Sequence, residues 1–286
     1  MTGLMVRRVL RAALATAVML VALVAGLPGS AHAAVSRGEI QYFWSRVDGE
    51  VGKQVSTFAY CPANWSVISA GAGNASLTGL VVLEDGTGVL ASGYLSNPGA
   101  PYMPVVLGCA PTADLSGVTN VAILVNDHRS PAGTPTTFSA TVKCPGGSYA
   151  FAGGGYFVNQ AGSLSDTATS FLTNAPTPDG HGWTFSATAL RGKDKLNVRA
   201  RCMPLAAAPY IAESEFRIPN GQVSAGGYAV CPFPLVPLSG GVQIPSGGGA
   251  TVWTEPVDAA NPNPRRWYGL GGGNPNATVR VWAVCF

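Results

Sequence analysis

Beyond residue 33 the chain reads as short stretches in which apolar and polar residues alternate, broken at frequent intervals by glycine and proline. In "NVRARC", Val198, Ala200 and Cys202 fall on one face and Asn197, Arg199 and Arg201 on the other. In "TVRVWAVC", Val279, Val281, Ala283 and Cys285 share a face opposite Arg280 and Trp282, and "AESEFRI" sets Glu213, Glu215 and Arg217 against Phe216 and Ile218. A period of two is the signature of a strand with one buried side. The segment "QYFWSRVDGEVGKQVSTFAYC" carries an Asp48-Gly49 turn signal, and "NVAILVNDHRSPAGTPTTFSATVKC" a loop with proline and glycine. Both read as hairpins. No stretch in this region has the 3.6-residue period of a helix, so the pattern predicts an all-β fold.

The strands recur in a fixed order. "STFAYCPANWSVISAGAG" (56–73), "VKCPGGSYAFAGGGYFV" (142–158) and "GGYAVCPFPLVPLSGGVQI" (227–244) each place strand-like residues before Cys-Pro, then a spacer and a glycine cluster. Cys61, Cys144 and Cys231 lie 83 and 87 residues apart, a period large enough for several strands. Downstream, "GWTFSATALRGKDKLNVRARC" and "RWYGLGGGNPNATVRVWAVC" each run from a tryptophan through a polar or glycine-rich turn to a strand ending in cysteine. The first copy, "PGAPYMPVVLGC", is shorter, with Tyr102 near the aromatic position and no evident hairpin. These observations divide the chain into repeats at 34–115 (degenerate), 116–206 and 207–286. The packing expected is either three small tandem sandwiches or a pseudo-three-fold arrangement like a β-prism.

Six cysteines admit 15 pairings, and the repeat symmetry selects one bridge within each unit: Cys61 with Cys109, Cys144 with Cys202 and Cys231 with Cys285.

The order C-P, apolar spacer, G-G-G, loop, G-W, strand, A-x-C resembles a repeat of secreted bacterial proteins of mostly unassigned function. Units two and three carry it through Cys144-Pro145, Gly153-Gly154-Gly155, Trp183 and Cys202, then Cys231-Pro232, Gly240-Gly241, Trp267 and Cys285. Unit one matches at Cys61-Pro62, Gly71 and Cys109. The segment "SDTATSFL" (165–172) is faintly similar to the aspartate-rich segment of vitelline membrane outer layer proteins, a resemblance that implies three-fold β-prism architecture. Neither resemblance implies a catalytic residue.

The N-terminal segment changes the charge picture. Arg7, Arg8 and Arg11 precede an apolar run from Ala12 to Gly26, then Pro28-Gly29 and Ala31-His32-Ala33, the layout of a secretory signal peptide over residues 1–33. Without its three arginines, the 17 Lys and Arg become equal in number to the 14 Asp and Glu, so the exported chain is formally neutral. A basic footprint for nucleic acid is absent, and no later apolar run predicts a membrane span. Export to an oxidising compartment suits six paired cysteines. Charged residues make up only 11% against 37 glycines and 22 prolines, a composition suited to short strands and tight turns.

Candidate chemistry is sparse. "AGGGYFV" lacks the lysine and the helix of a phosphate-binding loop, and "GLGGGNPNA" leads into a strand, so the glycines read as backbone devices and no cofactor is expected. No C-x-x-C occurs, and only His128 and His181 follow the signal, so no metal site is expected. His128 and His181 each lie near an aspartate, and Glu213 and Glu215 share a strand face beside Arg217, but neither set forms a recognisable catalytic motif, and no catalytic residue is expected. Trp183 and Trp267 recur at one repeat position and read as core. Trp44, Trp65, Trp253 and Trp282 do not recur, so an exposed aromatic platform is expected among them. Arg191, Lys193 and Lys195 add positive charge around a hairpin of unit two that also holds Arg199 and Arg201, and suit an anionic polymer. Asn64, Asn74 and Asn276 open N-x-S/T sequons. Together these point to a secreted, non-enzymatic protein that binds a glycan, a cell envelope or a protein surface through its loops. The competing classes are an exported hydrolase (glycosidase or peptidase) and a passive structural coat component.

Overall fold

A computed structural model describes residues 40–126, 135–165, 168–190, 194–245, 249–256 and 265–286, all within one compact unit, Ala33–Phe286. The first repeat forms β1 (Gln41–Asp48), β2 (Gln54–Tyr60), β3 (Trp65–Ala72), β4 (Ala75–Val82), β5 (Gly88–Leu95) and β6 (Tyr102–Pro111). The second forms β7 (Thr119–Asn126), β8 (Thr136–Lys143), β9 (Ser148–Val158), β10 (Ala168–Pro176), β11 (Gly182–Ala189) and β12 (Lys195–Pro204). The third forms β13 (Tyr210–Arg217), β14 (Ser224–Val230), β15 (Pro237–Gln243), β16 (Ala250–Pro256), β17 (Arg266–Gly272) and β18 (Thr278–Cys285). Among the described residues one 3-10 turn, Thr112–Leu115, lies between the first two repeats.

The strands build three six-stranded antiparallel sheets: sheet A, β1-β6-β3-β16-β17-β14; sheet B, β2-β5-β4-β9-β12-β7; and sheet C, β13-β18-β15-β10-β11-β8. Each repeat gives its first, sixth and third strands to one sheet and its fourth, fifth and second to the next, so the repeats close on one another in a ring. This is the pseudo-three-fold arrangement and not a row of sandwiches, because no repeat owns a complete sheet. The central core draws on all three sheets, with Val67 and Leu107 from A, Leu80 and Phe157 from B, and Phe171 and Phe185 from C.

The ring corrects two expectations. Asp48-Gly49 does end β1, but β1 pairs with β6 and β2 pairs with β5, so the turn joins strands of different sheets and not the arms of a hairpin. The same holds for β11 and β12, whose connection carries the basic residues. Turn signals mark where a strand ends, but not which strand it then pairs with. The first repeat is also complete. Its β5 holds the place of β11 and β17, with Val89 at the position of Trp183 and Trp267, and Tyr102 opposite Asp48 in β6.

The three repeated features of the sequence now have separate tasks. After each Cys-Pro the chain closes a turn on the same hydrogen bond: the amides of Trp65, Ser148 and Leu235 donate to the carbonyls of Pro62, Pro145 and Pro232 at 3.0, 3.0 and 2.8 Å. In the first two, Asn64 (φ 66°) and Gly147 (φ 76°) take the left-handed position, which short polar side chains and glycine tolerate; in the third, Pro234 stands there after a cis peptide bond, so the turn type differs. Asn74 (φ 56°) and Asn276 (φ 68°) are likewise left-handed turn residues. The bridges form as the symmetry selects, Cys61–Cys109, Cys144–Cys202 and Cys231–Cys285, and each joins the strand pair of one sheet to the neighbouring sheet at a corner of the ring.

The glycine cluster marks the seams where one repeat's third strand meets another's fourth. Gly71, Gly154 and Gly241 stand ten residues after their first cysteines, and a β-carbon on any of them would overlap the facing backbone at Thr254, Leu80 or Asn174. One residue earlier, Gly153 and Gly240 leave room for the rings of Trp183 and Trp267.

Candidate functional site

The repeats differ most on the outer face of sheet A. Its register aligns Trp44 (β1), Val106 (β6), Gly71 (β3), Glu255 (β16), Tyr268 (β17) and Tyr228 (β14) in one row across all six strands. A parallel row carries Arg46, Pro104, Gly73, Trp253 and Leu270. With neighbouring strands about 4.8 Å apart, the first row spans about 24 Å and the second about 19 Å. Alternation places these residues outward, because their neighbours Thr254 and Trp267 are buried.

The seam shapes this face. The Trp253 indole lies across the bare backbone of Gly73, where a β-carbon would displace it, and the residue is half-buried. Gly71 gives the same clearance to the backbone and Cβ of Glu255. Tyr228 and Tyr268 stand 5.3 Å apart between ring centres, and the Arg266 guanidinium caps the Tyr228 ring at 4.9 Å. Trp44, at the far end of the row, is 59% exposed.

Within this plate, Glu255 Oε2 and Trp253 Nε1 are buried polar atoms without a hydrogen-bond partner. Burial raises the Glu255 pKa above the usual carboxylate range; the indole N–H opposes that shift from nearby but lies outside bonding geometry. Burial also raises the Tyr268 pKa, with Tyr228 and Glu255 adding to it, so its phenol stays a neutral donor at physiological pH. Flat aromatic surface beside a half-buried glutamate forms a set that can hold a polyhydroxylated ring: C–H faces on the rings, hydroxyls on the Tyr228 and Tyr268 phenols and on the accessible part of the glutamate.

The corresponding positions of sheet C carry small residues. Ala175 stands for Glu255 and Thr173 for Trp253, while Thr184 and Thr141, hydroxyl to hydroxyl at 2.8 Å, stand for Tyr268 and Tyr228. On sheet B, Val81, Gly79, Leu90 and Phe58 take these places. The plate therefore belongs to the third repeat, completed across the seam by the first.

The other candidates scatter. Trp65 packs half-buried against the core, edge-on to Phe43 at 6.4 Å, and so presents no platform. Trp282 faces outward on sheet C but is only 6% exposed, because alternation sets the side a residue takes and not what covers that side. Lys195 begins β12 between Val158 and Asn126. Arg191, Lys193 and His128 lie outside the described residues. Asp194 is buried and accepts a hydrogen bond from Ser165. His181 binds the Ser148 carbonyl through Nδ1 at 2.9 Å and stacks on Tyr149, while Asp179 accepts from the His181 backbone N–H, so this aspartate does not orient the imidazole. The Thr177 hydroxyl and that N–H lower the Asp179 pKa. Glu213 and Glu215 share a partner, but it is Arg280 of β18, at 3.4 and 3.2 Å, and not Arg217. Among the described residues no group of three metal-ligating side chains converges, and no helix is long and apolar enough to cross a membrane.

Sequence reasoning singled out Trp44 and Trp253 but missed Glu255, Tyr268 and Tyr228. Their signal was present: in "TVWTEP" and "RWYGLGG" the large residues alternate out of phase with the buried Trp267. What the sequence lacked was the pairing of β16 with β3 that brings the two tryptophans to one face.

No family model matches the chain, and no curated protein matches it.

Proposed function

We propose that the protein is an exported, non-enzymatic glycan-binding protein whose binding surface is the outer face of sheet A. The observation that carries this reading is the co-location of Trp44, Trp253, Tyr268 and Tyr228 in two adjacent rows with the half-buried Glu255, on one face of the sheet. Aromatic rings on a flat sheet suit an extended polysaccharide laid across the strands, and a preformed surface binds without the entropic cost of ordering loops. Three disulfides and the signal-like leader support an extracellular location.

The test is a panel of soluble and insoluble cell-wall and extracellular polysaccharides, titrated with the full mature protein. We expect saturable binding to a polysaccharide that falls about tenfold or more in Trp253→Ala and in Trp44→Ala, the scale of a lost ring stack. Trp65→Phe, away from the face, leaves it unchanged. The carboxylate adds a signed pH dependence. Glu255 accepts hydroxyl hydrogens best when ionised, so binding weakens as pH falls through its raised pKa, at a higher pH than an exposed glutamate would give, and Glu255→Gln flattens that profile. Saturable binding indifferent to both tryptophans, or no binding across the panel, overturns the reading.

A further inference from the structure

A second site lies on sheet B, between the first and second repeats. The turn from β4 to β5 folds over β7 and β12 and is clamped there: Asn120 Nδ2 donates to the Glu84 carbonyl at 2.5 Å, and Arg201 Nη1 donates to the carbonyls of Val67 and Gly86, the latter at 3.3 Å. Beneath the turn is a cleft of about 260 Å³. Its apolar side chains are Leu83 and Ala122, on the outer face with the arginines, while Val82, Val121 and Ala200 line it from strands whose side chains at these positions face the core; its polar groups are Asn120, Asn197, Arg199, Arg201 and Glu84.

The two guanidinium groups are unusual. Arg201 is 6% exposed, its Nε has no hydrogen-bond partner, and no carboxylate lies within ion-pair distance of it among the described residues. Its positive charge is eased by the Phe151 ring 5.6 Å away and, from further off, by Asp85. Desolvation lowers its pKa to about 10, which leaves it cationic at neutral pH. A buried cation without a paired anion is costly, and that cost is relieved when an anion enters. Arg199 is held in place by Asn197 (Nε to Oδ1, 3.2 Å) and Tyr156 (Nη2 to the phenol oxygen, 3.5 Å). Its carboxylate neighbour, Glu84, sits 3.8 Å away on a side chain that is 89% exposed, a weak and displaceable partner. The other repeats lack this set: Arg201 corresponds to Gly108 and Val284, and Arg199 to Val106 and Trp282.

We propose that this cleft binds a small aliphatic carboxylate, with the carboxylate on Arg199 in the field of Arg201, displacing Glu84, and the aliphatic body against Leu83 and Ala122. A peptide C-terminus ending in a small residue and a free short-chain acid share this chemistry. Neutral sugar lacks it, so the site is independent of the plate on sheet A.

The probes are N-acetyl-alanyl-alanine, its C-terminal amide, and butyrate, each titrated into the full mature protein and followed by the NMR shifts of the Arg199 side chain and the Asn120 amide. Expected is saturable binding of one or both acids and none of the amide. Tight dipeptide with weak butyrate assigns a peptide C-terminus; the reverse assigns a free acid. Arg199→Gln loses about tenfold or more, the scale of a charge-assisted hydrogen bond, while Glu84→Gln gains affinity because the competing carboxylate is gone. Both keep Arg201 in place, and Trp253→Ala has no effect. Binding of the amide equal to the acid, indifference to Arg199→Gln, or no shift by either acid overturns the proposal.

Discussion

Trp183 and Trp267 each depend on two neighbours. Their rings lie over Gly153 and Gly240, and their indole N–H groups donate to Asn174 Oδ1 at 2.6 Å and Thr254 Oγ1 at 2.9 Å. The first repeat changes all three positions together, to Val89, Ala70 and Leu80: a smaller apolar side chain, a methyl where ring clearance is not needed, and no acceptor where there is no donor. That is the substitution set expected if a buried polar atom must be either satisfied or removed. Val89→Trp alone is expected to lower stability by about 1–3 kcal/mol through overpacking and an orphaned indole N–H. Adding Ala70→Gly and Leu80→Asn should recover part of that loss, a non-additivity read by denaturant titration of the single and combined variants. The triple variant being no more stable than Val89→Trp would break the equivalence of the three positions. At this scale the sequence was partly legible: the recurring tryptophans read as core, but their acceptors lie on another strand and carry no local signal.

At the scale of elements, the seam strands β3, β9 and β15 do most to define the fold. Each carries a bulge at one repeated position, at Ile68, Phe151 and Leu238, and three residues later a glycine that lets a strand of another repeat approach. Gly154→Ala and Gly241→Ala drive a methyl into the carbonyls of Leu80 and Asn174, backbone that cannot move without parting the sheet. Each is expected to lower Tm by many degrees, whereas Gly146→Ala, with nothing within 4 Å of the added carbon, shifts it little. Equal shifts by thermal circular dichroism would remove the seam from the account. The glycine cluster was visible in the sequence as a backbone device. Its purpose was not, because the backbone it admits comes from a different repeat, and the same blind spot hid the union of Trp44 with Trp253.

For the whole molecule, sharing every sheet between two repeats makes the repeats interdependent. A fragment of residues 34–115 keeps Cys61 and Cys109 but leaves β3 and β4 with unpaired seam edges and half of each sheet missing. It should show the narrow amide dispersion of an unfolded chain by NMR, while residues 34–286 unfold in one transition with calorimetric and van't Hoff enthalpies in agreement. A fragment with native-like dispersion would mean the first repeat is a domain in its own right. The bridges act at the same scale. Each closes a loop of 48 to 58 residues and staples two sheets at a corner, an entropic contribution of about 4 kcal/mol apiece.

The sequence by itself determined the strands, the cysteine partners and the identity of the core tryptophans, because these follow from period, spacing and symmetry within one repeat. Tertiary structure alone decided which strands pair, that the turns join different sheets, and which side chains meet on the face of sheet A and in the cleft of sheet B. The reason is physical. Alternation and turn chemistry act over a few residues, whereas the seams form between backbones 68 to 182 residues apart, where clearance at a single glycine and the closing of the ring select the partner.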